Sequence, residues 1–145
     1  MKLRLDLSLV CFLVLLSTGC WSAQDDAARL EEVKAVWARL PIYSGLQEID
    51  SSTTYGYGKA MISKKYRSKA RYDDVKRFYV EHLIPDGWTM ISEKKIVDVG
   101  TDFGGYHIEF RKGDLSLGLE YAGEKVNYEW QYAIAVSWSR WVRKT

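Results

Sequence analysis

The fold follows from residues 106–121, which read YHIEFRKGDLSLGLEY. Apolar side chains occupy the even positions Tyr106, Ile108 and Phe110 and the odd positions from Leu115 to Tyr121. A period of two is typical of strands with one buried face, and the Lys112-Gly113-Asp114 segment between the runs is typical of a hairpin turn. The stretch therefore predicts two antiparallel strands that place one apolar face against a core.

A longer alternation follows from Tyr128 to Ser139. One face of this run carries only bulky side chains: Tyr128, Trp130, Tyr132, Ile134, Val136 and Trp138. Residues from Trp88 to Val97 predict a further strand with a polar middle, followed by a loop from Asp98 to Gly105. Successive alternating runs joined by turns indicate an antiparallel sheet with one buried face and one wetter face.

Two helices are predicted upstream of these strands. The first covers residues 25–40, where Asp25 and Asp26 complement the helix N-terminus and Pro41 ends the run. The second covers residues 72–83, after which Pro85, Asp86 and Gly87 break the helix. Apolar residues recur at helical spacing in both segments, so each helix has one face that packs on the rest of the domain.

The segment between the helices is predicted as a loop from Pro41 to Thr54 and one strand from Tyr55 to Tyr66. Gly56 and Gly58 weaken that strand. The predicted element order is then α-β-α-β-β-β-β. We predict an α+β fold: a single domain over residues 25–145, with an antiparallel sheet of about four to five strands and two helices on its apolar face.

The beginning of the chain has the organisation of a secretory signal peptide. Lys2 and Arg4 give a positive start, the segment from Leu5 to Leu16 is almost wholly apolar, and small residues follow. The apolar run is shorter than the roughly 20 residues that a transmembrane helix needs to cross a bilayer. We therefore predict that the protein is exported and that residues 1–19 are removed.

The signal ends in Leu16-Ser17-Thr18-Gly19-Cys20, which resembles the lipobox of bacterial lipoproteins. The resemblance implies that the Cys20 thiol receives a diacylglyceryl group and that cleavage occurs just before Cys20. It also implies that the new amino group is often acylated, for example with palmitate. Residues 20–24 are then the lipidated N-terminus and a short tether. The alternative is an ordinary secretory signal that happens to contain a cysteine.

The residue after the lipidated cysteine bears on the destination of the protein. In Gram-negative lipoproteins an aspartate there commonly retains the protein in the inner membrane, whereas this chain has Trp21. The resemblance therefore implies the outer membrane in a Gram-negative cell. Two or three acyl chains hold a protein on a bilayer far more firmly than one chain, so we predict a protein that is anchored to the membrane through Cys20.

Composition and charge exclude several classes of function. The 145 residues carry a net charge of +2, which is too near neutral for a dedicated nucleic-acid binder. Removal of the signal takes away Cys11, and the lipid consumes Cys20, so no thiol remains for a disulfide, a zinc site or a nucleophile. We predict no nucleic-acid partner and no cofactor.

The middle of the chain resembles a module of small bacterial lipoproteins and secreted proteins that have no assigned activity. The matching segments are Pro41-Ile-Tyr-Ser-Gly45, Tyr66-Arg-Ser68, Asp73-Asp-Val75 and Phe78-Tyr79 within the second predicted helix, Leu83 and Gly87-Trp88. Ser44 stands where such proteins often have proline. The resemblance covers roughly residues 41–121 and implies the fold and an envelope location. It brings no catalytic residue, ligand or partner.

Two histidines are the candidates for acid–base catalysis. His82 lies beside the apolar stripe of its helix, where a partly buried structural histidine is the commoner role. His107 and Glu109 share the polar face of a strand, but a metal site usually needs three protein ligands and an ordinary surface pair is commoner. The chain has no glycine-x-serine-x-glycine motif. We therefore predict a protein that is not an enzyme.

A basic segment is the strongest charge feature of the chain. Its five cations are candidates for contact with anionic lipid, lipopolysaccharide phosphate or another polyanion: Lys64, Lys65, Arg67, Lys69 and Arg71. Near an anionic membrane each such cation contributes about 1 kcal/mol. The alternative is a solvated strand end at which lysines discourage edge pairing.

Two functional hypotheses follow from the sequence. The first is a non-enzymatic, lipid-anchored envelope protein that contacts another envelope protein, a lipid or a polysaccharide through its sheet or its basic segment. The alternative is a periplasmic or cell-surface module that binds glycan or lipid, with Tyr55 and Tyr57 as a stacking platform. A flat exposed edge or patch favours the first hypothesis, and a concave aromatic pocket on the polar sheet face favours the alternative. Trp141 either forms an exposed contact surface or tucks under a neighbouring loop.

Overall fold

The computed structural model describes residues 23–124 and 128–141, which form two helices and six strands. The elements are α1 (Ala23–Arg39), β1 (Gln47–Gly56), β2 (Lys59–Arg67), α2 (Tyr72–Leu83), β3 (Thr89–Asp98), β4 (Thr101–Lys112), β5 (Leu115–Tyr121) and β6 (Tyr132–Ser139). The six strands form one sheet in the order β1-β2-β6-β5-β4-β3. Each neighbouring pair is antiparallel, so β1 and β3 are the edges and β6 inserts between β2 and β5.

The α+β class and the two helices are confirmed, but the sheet has six strands rather than four to five. The additional strand is β1, which lies mostly within the segment predicted as a loop from Pro41 to Thr54. The strand predicted from Tyr55 to Tyr66 is instead split by a turn, where Tyr57 and Gly58 have φ angles of 52° and 75°. Almost all of β1 is exposed at the sheet edge, so its sequence carries no alternation that would reveal a strand.

Two other boundaries also differ from the prediction. The loop predicted from Asp98 to Gly105 is mostly strand, since β4 already begins at Thr101 after a tight turn at Val99 and Gly100. The last strand begins at Tyr132 rather than Tyr128. The hairpin turn at Gly113 is confirmed, with a φ angle of 59°.

The core lies between the two helices and one face of the sheet. Its largest fully buried side chains come from α2 and from the central strands: Tyr79, Leu83, Phe110, Leu117, Ile134 and Tyr132. Tyr72 extends the packing, because its ring stacks on Tyr106 with the ring centroids 4.5 Å apart. The opposite face of the sheet carries no described helix and is called here the open face.

The strand register defines two ends of the sheet. One row across four strands consists of Tyr55, Ala60, Trp138 and Leu115, and we call this the tryptophan end. The row at the other end consists of Tyr66, Tyr132, Tyr121 and Tyr106, and we call this the tyrosine end. The β1–β2 turn, the β4–β5 turn and the last residues of β6 therefore all lie at the tryptophan end.

Helix α1 begins at the tryptophan end. Asp26 in its first turn is 5% exposed, and its Oδ2 accepts a hydrogen bond of 3.1 Å from the backbone N–H of Gly58 in the β1–β2 turn. One turn later, the Arg29 guanidinium lies 5.0 Å from the centroid of the Trp138 ring. These contacts fix the start of the helix beside the turn that carries Tyr57.

Candidate functional site

The predicted lipidation site and the chain before it lie outside the described residues. Cys20 precedes the first residue of α1, Ala23, by three positions. Lipidation of Cys20 and the signal over residues 1–19 therefore stay predictions, while Ala23 and Gln24, the last two residues of the tether predicted over residues 20–24, belong to α1. The structure does show that a folded helix begins at Ala23.

The cations of the basic segment are less free to contact an anionic surface than their number indicates. Lys64 pairs with Glu48 at 2.8 Å and Lys65 pairs with Asp50 at 3.1 Å, and both carboxylates belong to β1. Arg71 pairs with Asp74 at 3.1 Å. The hydrogen bond from Arg71 also lowers the pKa of the Asp74 carboxyl. Three of the five candidate cations therefore have a carboxylate partner.

The two remaining cations, Arg67 and Lys69, are exposed at the tyrosine end. A strand advances about 3.3 Å per residue, so Arg67 lies roughly 26 Å along β2 from Lys59. The first turn of α1 lies beside the Lys59 end of β2. The basic segment therefore lies toward the opposite end of that strand. Contact between this segment and an anionic surface stays a prediction, and the geometry does not direct it toward a membrane that holds Cys20.

His107 and Glu109 lie on the open face, as predicted, but they do not form a reactive pair. Glu109 Oε1 accepts hydrogen bonds from Arg111, with distances of 3.1 Å to Nε and 3.0 Å to Nη2. The His107 ring lies over Gly118, with its Cε1 3.2 Å from the position that a β-carbon would take there. Within residues 23–124 and 128–141, no three His, Cys, Asp or Glu side chains are grouped to hold a metal ion.

The middle of the open face carries several small side chains. One row across the sheet runs through Ser63, Ala135, Gly118, Glu109 and Ser92. These residues are half-buried, and no described helix covers them. Small side chains therefore line the β2 and β6 part of this row, and the His107 ring and Glu109 border it on the β4 side.

The tyrosines proposed as a stacking platform lie elsewhere. Tyr55 shares the face of Ala60 and is 56% exposed, while Tyr57 in the adjacent turn is 100% exposed. Trp141, just beyond β6, is 70% exposed. All three side chains lie toward the tryptophan end, and Trp141 is exposed rather than tucked under a loop.

A cleft of about 610 Å³ lies between the two helices and the β4–β5 turn. Apolar side chains that are almost completely buried line it from four parts of the chain: Leu40, Leu83, Trp88 and Leu115. Cavities of this size with an apolar lining and a few polar groups are typical of small-molecule sites. Sequence reasoning missed this cleft because no local motif links residues that lie so far apart in the chain.

Charged groups surround the apolar lining of the cleft. Lys112 Nζ binds Asp86 Oδ2 at 3.0 Å and also donates to the Asp86 carbonyl, and its hydrogen bond lowers the pKa of Asp86. His82 is exposed rather than partly buried, and its Nδ1 lies 2.7 Å from the carbonyl oxygen of Phe78. Arg39 completes the rim between the helices. Because Glu32 also lines the cleft, charges of both signs surround the apolar lining, and the arrangement suits an amphipathic ligand with an apolar part and a polar group.

Neither described helix is long and apolar enough to cross a membrane. A scan against protein-family models, a search of curated proteins and a search of solved structures found no match to this chain. Its function is therefore inferred from its own residues.

Proposed function

We propose that this chain is an exported, lipid-anchored bacterial envelope protein that acts by binding another envelope component and not by catalysis. In a Gram-negative cell, Trp21 after Cys20 favours the outer membrane. The lipobox-like segment that ends at Cys20 supports the anchor. The sequence between that cysteine and α1 is only two residues long, so the anchor holds the domain close to the membrane.

The open face of the sheet is the observation that carries the binding role. Both described helices cover the other face, and the open face carries the small residues Ser63 on β2 and Ala135 on β6, beside Gly118 under the His107 ring. Small side chains let another molecule approach β2 and β6 closely. A patch of this kind suits an extended partner surface better than it suits a small ligand.

A photoreactive amino acid at Ser137, on the open face beside this patch, is expected to form a covalent adduct of one defined mass in intact envelopes. The same group at Glu81, exposed on α2, is expected to form none, because Glu81 lies on the other side of the molecule. Mass spectrometry of the purified adduct identifies the bound component.

Ser63→Arg provides the matched test of the surface. The arginine side chain would stand in the middle of the patch, so we expect it to reduce the Ser137 adduct several-fold while the protein stays folded. An adduct that forms equally with and without Ser63→Arg, or equally from Ser137 and Glu81, contradicts binding through the open face.

The cleft favours a second candidate function, the binding of a small amphipathic molecule. Its position on the helix side makes it independent of the open face. A lipid or an acylated glycan has the required combination of apolar and polar groups. This candidate corresponds to the glycan- or lipid-binding hypothesis, but through the cleft and not through Tyr55 and Tyr57.

Ala35→Trp is expected to abolish such binding, because Ala35 lines the cleft and is exposed, so an indole there fills the space without disturbing the core. Ala38→Trp is the matched control, since Ala38 is exposed on the same helix and does not line the cleft. Native mass spectrometry of the protein released from envelopes measures any retained ligand. Retention by both variants, or by neither variant nor the parent protein, contradicts ligand binding in the cleft.

A further inference from the structure

Exposed aromatic side chains gather where the chain leaves its predicted anchor. Tyr57 occupies the tip of the β1–β2 turn and has a fully exposed side chain. Trp141 follows β6, whose last residues pair with the β2 end of that turn. Tyrosine and tryptophan combine an apolar ring with a polar atom, and membrane proteins concentrate both at the boundary between headgroups and hydrocarbon.

The reach of the chain places this end beside the membrane. Three residue steps separate Cys20 from Ala23, and even a fully extended chain covers only about 10 Å in three steps. Asp26 then ties α1 to the β1–β2 turn through the N–H of Gly58, the residue next to Tyr57. A lipid on Cys20 therefore brings the turn to the bilayer surface, whereas the tyrosine end is roughly 26 Å farther along β2.

The remaining contacts stiffen the same surface. The backbone N–H of Arg140 donates a 3.0 Å hydrogen bond to the carbonyl of Gly58, which joins the end of β6 to the turn. The Arg140 guanidinium lies 5.8 Å from the centroid of the Trp141 ring. Lys59 is exposed beside the turn and Asp25 is exposed on α1, so charges of both signs border the exposed aromatic rings.

We propose that Tyr57 and Trp141 form a membrane-facing surface that rests in the headgroup layer and fixes the orientation of the anchored domain. The inference rests on the proposed lipid anchor at Cys20. Its occupant is the lipid bilayer that holds the anchor. The consequence is that the tyrosine end points away from the membrane, with the β3–β4 turn at Val99 as its exposed tip.

The test is a comparison of two single-cysteine labels on the full lipidated protein. Loss of Cys11 with the signal and lipidation of Cys20 leave an introduced cysteine as the free thiol of the mature chain. Tyr57→Cys and Val99→Cys each carry the environment-sensitive fluorophore NBD, and the proteins are reconstituted into vesicles of phosphatidylethanolamine and phosphatidylglycerol. Val99 is the matched control because it is 97% exposed in a turn at the other end of the sheet.

We expect the NBD emission at position 57 to rise several-fold and shift to the blue on reconstitution, while the emission at position 99 stays that of a label in water. Trp141→Cys is a second reporter at the same end and is expected to follow position 57. Circular dichroism of each variant before reconstitution establishes that it is folded.

Three outcomes overturn the inference. If the protein floats with the vesicles but the NBD emission at position 57 stays that of a label in water, the lipid anchor is supported and the membrane-facing surface is contradicted. Equal responses at positions 57 and 99 show that the domain has no fixed orientation. If the protein does not float and mass spectrometry finds no lipid on Cys20, the proposed function fails first and the inference falls with it.

Discussion

Cys20→Ala is expected to move the protein, once its signal peptide is removed, from the membrane fraction to the soluble fraction almost completely. Each buried methylene of an acyl chain contributes about 0.8 kcal/mol to membrane binding, and two or three chains make the attachment effectively permanent on the time scale of fractionation. Exposed aromatic residues such as Tyr57 and Trp141 contact a bilayer far less extensively than acyl chains do. Fractionation of cells, followed by mass spectrometry of the N-terminal peptide, measures both the location and the lipid.

Cys11→Ala is the matched control for this substitution. It removes the other cysteine of the chain from within the predicted apolar run of the signal, where alanine is well tolerated. We expect the Cys11→Ala protein to be processed before Cys20, lipidated and recovered with membranes. A Cys20→Ala protein whose signal has been removed, but which remains with the membranes to the same extent as Cys11→Ala, contradicts the lipid anchor.

The elements that could be predicted from the sequence are those with one buried face and one face in contact with water. In β4, β5 and β6 one face contacts the core and the other contacts water, so apolar and polar residues alternate along the sequence. Helix α2 was predicted to its ends because Asp73 and Asp74 open it and Pro85 closes the region after it. Strand β1 has no buried face, and hydrogen bonds to β2 hold it without a pattern in its side chains.

The same missed strand explains the difference at the basic segment. Glu48 and Asp50, which pair with Lys64 and Lys65, belong to β1, and sequence reasoning placed them in a loop. A charge run therefore looked unpartnered although its counterions lie some fifteen residues earlier in the chain. The cleft was missed for a related reason, because its lining depends on how α1, α2 and the β4–β5 turn pack together.

Gly123 is closely surrounded by backbone atoms of another strand. The sequence alone does not reveal this, because a glycine after a strand is usually interpreted as a loop residue. Gly123 follows β5 and packs against the beginning of β4. A β-carbon there would lie 2.3 Å from the carbonyl oxygen of Phe103 and 2.8 Å from the backbone nitrogen of Gly105. Both are backbone atoms that no rotamer change can move away, and the φ angle of Gly123 is 97°.

Gly123→Ala is therefore expected to lower the free energy of unfolding by about 4 kcal/mol, which combines backbone strain of about 1–3 kcal/mol with a comparable cost of overpacking. Such a loss removes much of the stability of an ordinary domain. Chemical denaturation of the mature protein, followed by tryptophan fluorescence, measures the change where enough folded protein is recovered. Recovery of soluble protein at several temperatures gives a second readout.

Gly100→Ala separates the two causes. Gly100 has a similar φ angle of 80°, but no atom beyond its chain neighbours lies within 4 Å of the position of its β-carbon. Alanine at position 100 therefore brings the strain without the collision, and we expect it to cost only about 1 kcal/mol. Equal costs at positions 100 and 123 would show that the connection after β5 moves freely away from β4. A much larger cost at position 123 shows that close contact between backbones holds Gly123 against the beginning of β4.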